Sequence, residues 1–192
     1  MMSEPQLSHP QGRIWLPLFF SRSTPMVTHG SVRDCIRCSG HTKSKKRCSR
    51  RTCVTPGLCW QHTAMEEGLR VKKSSIPGAG MGLFAAKDIP PNRRIAQYAK
   101  KSPYMPAAVD STRLDDSHRY PYLWCTNGNA KRCWNAQSTQ STIARYANGC
   151  DRPGNARVCN AKMVPSGWLK STQKIGKGSE IFFPYGSEYW ES

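Results

Sequence analysis

A glycine-rich phrase in the first half of the chain limits most strongly which folds the chain can adopt. Residues 78–85 read Gly-Ala-Gly-Met-Gly-Leu-Phe-Ala, so three glycines lead into a short apolar run. Glycine lets the backbone approach a ligand closely, because no Cβ stands in the way. A dinucleotide-binding fold needs a long helix directly after such a phrase. Here Asp88-Ile-Pro-Pro follows within a few residues, which excludes that helix and that fold.

Turn-forming residues divide the rest of residues 69–192 into short runs. Six of these runs are predicted to be strands: Leu69–Lys73, Met81–Ala86, Arg94–Ala99, Ala156–Val164, Trp168–Gln173 and Ile181–Phe183. Only two short helices are predicted, around Met105–Leu114 and Thr139–Tyr146. Short strands separated by turns predict a mainly β domain built from small sheets.

The chain is strongly basic, with 29 Lys and Arg against 12 Asp and Glu and a formal charge of +17. A field of this sign favours nucleic acid or another polyanion as a partner. A solvated basic surface without a partner is the alternative. No apolar run approaches the about 20 residues of a membrane span, so we expect no membrane partner. Residues 1–30 contain four prolines and are predicted to be a disordered leader.

Residues 31–63 are predicted to be a zinc-binding module. Five of the nine cysteines lie between positions 35 and 59, with His62 just beyond, and this clustering favours a metal over a disulfide framework. Zinc prefers four thiolate or imidazole ligands, supplied as short pairs separated by a longer loop. Cys59 and His62 form one such pair. The other two ligands come from Cys35, Cys38, Cys48 and Cys53, of which we favour Cys38 and Cys48. His41 is a competing ligand.

The segment from Cys38 to His62 resembles a small cysteine-rich finger that accompanies other domains in protist and large-DNA-virus proteins. A module this short cannot bury much apolar surface, so a structural zinc ion would supply most of its folding energy. It also carries a basic run: Lys43, Lys45, Lys46, Arg47, Arg50 and Arg51. This run is predicted to contact the phosphates of DNA or RNA, or to serve as a nuclear import signal.

Three phrases of residues 69–192 resemble the motifs of the SET domain, in that family's order. They are Ile76-Pro-Gly-Ala-Gly-Met-Gly-Leu-Phe, Ile143-Ala-Arg-Tyr-Ala-Asn-Gly-Cys and Gly178-Ser-Glu-Ile-Phe-Phe-Pro-Tyr-Gly. The resemblance implies small sheets with a threaded C-terminal segment. It also implies an S-adenosylmethionine-dependent protein-lysine methyltransferase, with histones as the favoured substrate. The nucleus is the expected location, with the cytoplasm as the alternative.

The same resemblance assigns roles to individual residues. Tyr185 matches the active-site tyrosine, and Phe183 lies at the family's phenylalanine/tyrosine switch. Tyr122 fits the channel tyrosine, with Tyr120 as second choice. The expected cofactor-binding residues are Gly80, Met81 and Gly82 on one side, Arg145, Tyr146 and Asn148 on the other, and Trp190 over the adenine.

The central phrase departs from the family pattern. Where the family reads Asn-His-Ser-Cys, this chain reads Asn148-Gly149-Cys150. A catalytically inactive SET-like binding module with a nucleic-acid-binding finger is therefore the alternative function. No cysteine follows Tyr185, so the channel is expected to be closed by residues 189–192 or by a second subunit in a homodimer. The remaining cysteines are predicted to be ordinary thiols: Cys125, Cys133, Cys150 and Cys159.

Overall fold

The computed structural model describes residues 35–98, 122–126, 129–136, 142–151, 153–154 and 157–190. The predicted leader at residues 1–30, the helix predicted around Met105–Leu114, and Tyr120 lie outside these ranges. Strands predominate in the described residues, and the predicted mainly β fold is confirmed. None of the helices in this part of the chain has the length and apolar character that a membrane span needs.

The cysteine-rich segment folds around a two-stranded sheet and a helical turn. Strands β1 (Ile36–Arg37) and β2 (Arg51–Thr52) pair antiparallel. An α-helical turn at Trp60–His62 continues as a π-helix at Thr63–Glu67. Gly68 ends the helix with a φ of 71°, a left-handed conformation that glycine adopts at little cost. The helix therefore stops directly before the first strand of the following region.

Beyond residue 68, the chain forms short strands that pair mostly antiparallel. The strands are β3 (Leu69–Lys73), β4 (Met81–Ala85), β5 (Arg94–Gln97), β6 (Leu123–Thr126), β7 (Asn129–Asn135), β8 (Asn148–Gly149), β9 (Ala161–Val164), β10 (Trp168–Ser171) and β11 (Phe182–Phe183). Strand β3 pairs with β4, and β6 pairs with β7. A three-stranded sheet has the order β5-β10-β9. All six predicted strands are present, whereas the β6–β7 hairpin was not predicted.

Within the described part of the helix predicted around Thr139–Tyr146, the structure forms a 3-10 helix at Ile143–Tyr146. Its N-cap is Thr142, whose Oγ1 accepts a hydrogen bond from the Ala144 amide at 3.2 Å. The same hydroxyl donates to the Tyr98 carbonyl at 2.6 Å. Thr142 therefore attaches the start of this helix to the end of β5.

The C-terminal segment lies between two strands that are distant in sequence. On one side, the Ile181 amide donates to the Leu83 carbonyl of β4 at 2.8 Å, and the Ala85 amide donates to the Ser179 carbonyl at 2.9 Å. On the other side, β11 pairs in parallel with β8. This placement agrees with the predicted threading of the C-terminal segment. The chain then forms a helical turn at Ser187–Trp190.

Five aliphatic side chains are the largest fully buried hydrophobic groups: Leu69, Leu83, Leu169, Ile175 and Ile181. They come from β3, β4, β10 and the C-terminal segment. Burying one such side chain contributes roughly 1.5–3 kcal/mol. The core thus fastens the C-terminal segment to the first hairpin and holds the site described below.

Candidate functional site

Four residues of the finger form a compact group of metal-ligating atoms. Cys38, Cys48, Cys59 and His62 are all buried, and one ligand atom from each lies within 4.8 Å of all the others. The Nδ1 atom of His62 lies 3.4 Å from the Cys38 sulfur and 3.3 Å from the Cys59 sulfur. A tetrahedral zinc ion with bonds of about 2.3 Å to sulfur separates its ligands by roughly 3.5–4 Å. The donors and their spacing therefore fit a structural zinc ion.

The His62 ring is oriented by its surroundings. Its Nε2 atom lies 2.9 Å from the His41 carbonyl oxygen, which can only accept, so Nε2–H donates there and Nδ1 faces the cysteine sulfurs. His41 thus contributes its backbone oxygen to the arrangement, and its side chain is exposed. A Cβ placed on Gly40 would lie 2.5 Å from Cγ of His62. Glycine at position 40 therefore leaves the space that the imidazole occupies.

The Cys59 thiol is prepared for deprotonation. Burial raises the pKa of both Cys38 and Cys59, and for Cys38 that effect prevails. At Cys59, hydrogen bonds from the backbone and ring of His62 and from the backbone of Gln61 outweigh burial and lower the pKa to about 6. Because the thiolate is the metal-binding form, this lowered pKa favours the ligating state of Cys59.

In the main domain, one side-chain amide connects the three phrases singled out in the sequence. Asn148 Nδ2 donates to the Met81 carbonyl of the glycine phrase and to Glu180 Oε1 of the closing phrase, each at 3.1 Å. A third contact of 3.1 Å joins it to Ser74 Oγ. The structure therefore brings together Met81 and Asn148, two residues that the sequence assigns to opposite sides of a pocket.

Glu180 is a buried carboxylate satisfied by neutral donors. It accepts hydrogen bonds from Ser74 Oγ at 2.7 Å, from the Ser75 amide at 2.7 Å and from Ser75 Oγ at 2.6 Å. Such bonds offset the cost of burying the charge. A Cβ on Gly82 would overlap this carboxylate, so glycine at 82 makes room for Glu180. By contrast, a Cβ on Gly80 would meet no atom within 4 Å, so the backbone there faces open space.

Aromatic rings collect around Tyr185. Its ring centroid lies 4.9 Å from that of Phe183 and 4.7 Å from that of Tyr189. The Trp190 ring stacks on Tyr185 at 5.6 Å with an interplanar angle of 9°. The Tyr185 hydroxyl donates to the Ala147 carbonyl at 2.8 Å, one residue before Asn148. This aromatic group therefore adjoins the junction of the three phrases.

Comparison with known proteins identifies this architecture. The model of the SET domain matches residues 80–186, which is more than half of the chain. The chain belongs to the SET-domain family. No curated protein matches the sequence. The SET family consists generally of protein-lysine methyltransferases, and these enzymes use S-adenosylmethionine.

Gly149, where the chain departs from the SET motif, lies against two aromatic rings of the C-terminal segment. A Cβ on Gly149 would lie 2.7 Å from Trp190 Cζ2 and 3.1 Å from Tyr185 Cγ. Any larger residue at position 149 would displace these rings. Glycine in place of the family's histidine therefore leaves the space in which Trp190 stacks on Tyr185. The sequence assigns Trp190 to the adenine, and the structure places one face of its ring on Tyr185.

Two buried tyrosines beside the site, Tyr185 and Tyr98, have raised pKa values. Burial raises the pKa of Tyr185 well above its ordinary value, and the phenols of Tyr98, Tyr189 and Tyr122 act in the same direction. Tyr98 is also buried, which raises its pKa, and its ring lies 6.2 Å from that of Phe183. The raised pKa favours the protonated phenol of Tyr185, which can both donate and accept hydrogen bonds.

Arg145 is a buried cation within the same SET core. It is 5% exposed, its Nε donates to the Ala136 carbonyl at 2.9 Å, and its Cζ lies 4.2 Å from the Tyr122 ring centroid and 5.3 Å from that of Tyr146. Its Nη1 has no hydrogen-bond partner in the described part of the chain. A buried guanidinium with one unpartnered nitrogen favours an anionic ligand. S-adenosylmethionine carries a carboxylate, so Arg145 and the open backbone at Gly80 fit this cofactor.

Sequence reasoning missed Asp151, which holds the C-terminal segment. Its Oδ1 accepts from the Tyr185 amide and from Trp190 Nε1, both at 3.1 Å, and its Oδ2 accepts from the Gly186 amide at 2.8 Å. Burial raises the pKa of Asp151, but these hydrogen bonds bring it below the ordinary value. The sequence signal that could have identified Asp151 was its position directly after the SET motif at Asn148-Gly149-Cys150.

Two disulfides correct the predictions made for the cysteines. Cys35 is bonded to Cys53, and Cys150 is bonded to Cys159, so these four are not free thiols. The antiparallel register of β1 with β2 pairs Ile36 with Thr52 and so brings the flanking Cys35 and Cys53 together. Near the SET motif, the Arg157 amide donates to the Cys150 carbonyl at 2.6 Å, which returns the chain beside Cys150. The side chains of Cys125 and Cys133 lie outside the described part of the structure.

Proposed function

We propose that this SET-domain protein transfers a methyl group from S-adenosylmethionine to the side-chain amine of a protein lysine, with histones as the favoured substrate. The observation that carries the proposal is the amide of Asn148. From its place in the central phrase, it bonds to the glycine phrase and to the closing phrase, one residue from the carbonyl that holds the Tyr185 hydroxyl. The expected location is then the nucleus, which imaging of a fluorescent fusion would test.

The substrate lysine must be neutral before its lone pair can attack a methyl group. With a reference pKa near 10.4, deprotonation at pH 7 costs roughly 4–5 kcal/mol. Burial among apolar rings lowers this cost, because it disfavours the ammonium form. The rings around Tyr185 and Phe183 supply such surroundings, and their faces also tolerate the methylated cation that forms.

In this proposal, the residues of the chain mainly orient the reactants and exclude water. S-adenosylmethionine, when bound, supplies the methyl group on a positively charged sulfur. Gly80, Met81 and Asn148 would hold one part of it, and Arg145 would pair with its carboxylate. Tyr185 would accept a hydrogen bond from the amine while its own hydroxyl donates to Ala147, which aligns the lone pair.

The proposal is tested by methyl transfer from labelled cofactor to nucleosomes, free histones and a cell lysate. Tyr185→Phe keeps the ring that stacks on Trp190 and removes only the hydroxyl. We expect it to reduce the rate by about 100-fold or more. Tyr189→Phe is the matched control, because Tyr189 contacts the same ring and is 39% exposed. An unchanged rate in Tyr185→Phe would remove Tyr185 from the mechanism.

A non-catalytic binding module is the second candidate, and the altered motif at Gly149 favours it. Isothermal titration with S-adenosylmethionine separates the two functions. Tight binding to the wild-type protein that is weakened in Arg145→Met supports the enzyme. No binding to the folded protein would leave the binding module as the function.

A further inference from the structure

The finger exposes one large aromatic side chain beside a cation. Trp60 directly follows the predicted ligand Cys59 and is 60% exposed. The guanidinium carbon of Arg50 lies 5.8 Å from the centre of the Trp60 ring. An exposed indole accompanied by a cation forms a flat surface on which another ring can stack.

The basic residues of the finger divide into two groups. Three arginines donate to backbone carbonyls of the finger itself: Arg37 to Cys48 at 3.1 Å, Arg47 to Cys38 at 3.1 Å, and Arg51 to Cys35. Their guanidinium groups are therefore used in the fold. The remaining cations are exposed and form no ion pair within the described residues: Lys43, Lys45, Lys46 and Arg50.

The three lysines lie on a turn next to the Trp60 helix. The Lys45 amide donates to the Thr42 carbonyl and the Thr42 amide to the Lys46 carbonyl, each at 2.9 Å. This turn is attached to the helix because the His41 carbonyl bonds to His62 Nε2 at 2.9 Å. The exposed lysines and the exposed indole thus belong to one small unit.

Charge complementarity decides the kind of partner. Residues 35–63 contain seven Lys and Arg and no Asp or Glu. Such a surface attracts phosphates, and an exposed indole stacks with a base. In a duplex the bases already stack on each other, whereas in a single strand they are available.

We propose that the Trp60 face of the finger binds single-stranded nucleic acid. One base stacks on Trp60, Arg50 lies against the same ring, and Lys43, Lys45 and Lys46 contact neighbouring phosphates. This binding needs no methyl donor, so it can be tested independently of the proposed transferase activity.

The test measures fluorescence anisotropy of a labelled 20-nucleotide pyrimidine single strand, as DNA and as RNA, with the full-length protein. A 20-base-pair duplex is measured alongside, and each probe is titrated at several salt concentrations. We expect Trp60→Ala to weaken single-strand binding by tenfold or more and Trp60→Phe to retain part of it. We expect the double variant Lys45→Ala/Lys46→Ala to reduce the salt dependence by about 1.4 in log–log slope.

Two controls separate this site from general effects. Met65→Ala removes another exposed apolar side chain of the same helix, and Lys162→Ala/Lys177→Ala removes two exposed charges elsewhere. Both should leave single-strand affinity within about twofold of wild type. Zinc content and circular dichroism check that each variant is folded. Equal affinity of wild type and folded Trp60→Ala, or tighter binding of duplex than of single strand, would overturn the proposal.

Discussion

Asp151 offers the sharpest test of how the C-terminal segment is held over the site. Asp151→Ala removes the acceptor of three hydrogen bonds, from the amides of Tyr185 and Gly186 and from the Trp190 indole. A hydrogen bond to a charged group contributes about 1.5–3 kcal/mol. Because the site is partly exposed and water replaces some of these bonds, we expect a total loss of about 3 kcal/mol. That loss corresponds to roughly a 100-fold increase in opening of the segment.

The assay is amide hydrogen exchange, which reports local opening directly. Protection of the Tyr185 and Gly186 amides should fall by about 100-fold in Asp151→Ala, whereas the Ile181 amide, bonded to Leu83, should change much less. Asp88→Ala is the matched control, since Asp88 also accepts a backbone hydrogen bond, at Lys177. Wild-type protection of both amides in Asp151→Ala would refute the anchoring role.

The same anchor predicts a pH dependence. The pKa of Asp151 is lower in the folded protein than its unfolded value of about 3.9, so the stabilisation is complete above that value. It is lost as pH falls through the lowered pKa, because the protonated group is a poorer acceptor. Protection at Tyr185 and Gly186 should therefore fall below about pH 4 in wild type. In Asp151→Ala the protection should not show this step.

Three further perturbations follow from the contacts described above. Gly40→Ala pushes its Cβ against the His62 ring, so zinc affinity should fall about tenfold or more in a competitive chelator titration, and unchanged affinity would contradict the packing. Cys159→Ser opens the Cys150–Cys159 loop and should cost about 2–3 kcal/mol in denaturant unfolding. That difference should disappear when both proteins are reduced. Glu180→Gln places an amide against donors that need a carboxylate, so the free energy of unfolding should fall by about 1–3 kcal/mol. Thermal melting measures this loss, and an unaltered melting temperature would rule it out.

The strands of the fold could be predicted because their signals are local. Turn residues bound the predicted runs at Leu69–Lys73 and Trp168–Gln173, and the observed strands begin where predicted, at Leu69 and Trp168. The β6–β7 hairpin was missed because Asn129–Asn135 contains polar and charged residues without a clear alternation. Its presence depends on pairing with Leu123–Thr126, which no local pattern shows.

The site was only partly predictable, because its chemistry depends on contacts between distant residues. Motif order placed Tyr185 and Asn148 in the same region without showing their partners. In the sequence, nothing distinguishes Asp151 from other loop carboxylates, because its partner Tyr185 lies 34 residues further along the chain. The disulfides were missed for a similar reason, since spacing cannot distinguish a cysteine pair that faces a metal from one that faces another cysteine.

The contact between Glu180 and Ser74 joins residues 106 positions apart, and that of Asn148 with Ser74 joins residues 74 apart. During synthesis, the glycine phrase and Asn148 emerge from the ribosome well before the segment that completes them. Until that segment inserts, one edge of β4 has no partner and can pair with another chain. Pairings this distant in sequence form slowly. Insertion of the closing segment is therefore expected to be a late step in folding, with aggregation competing against it.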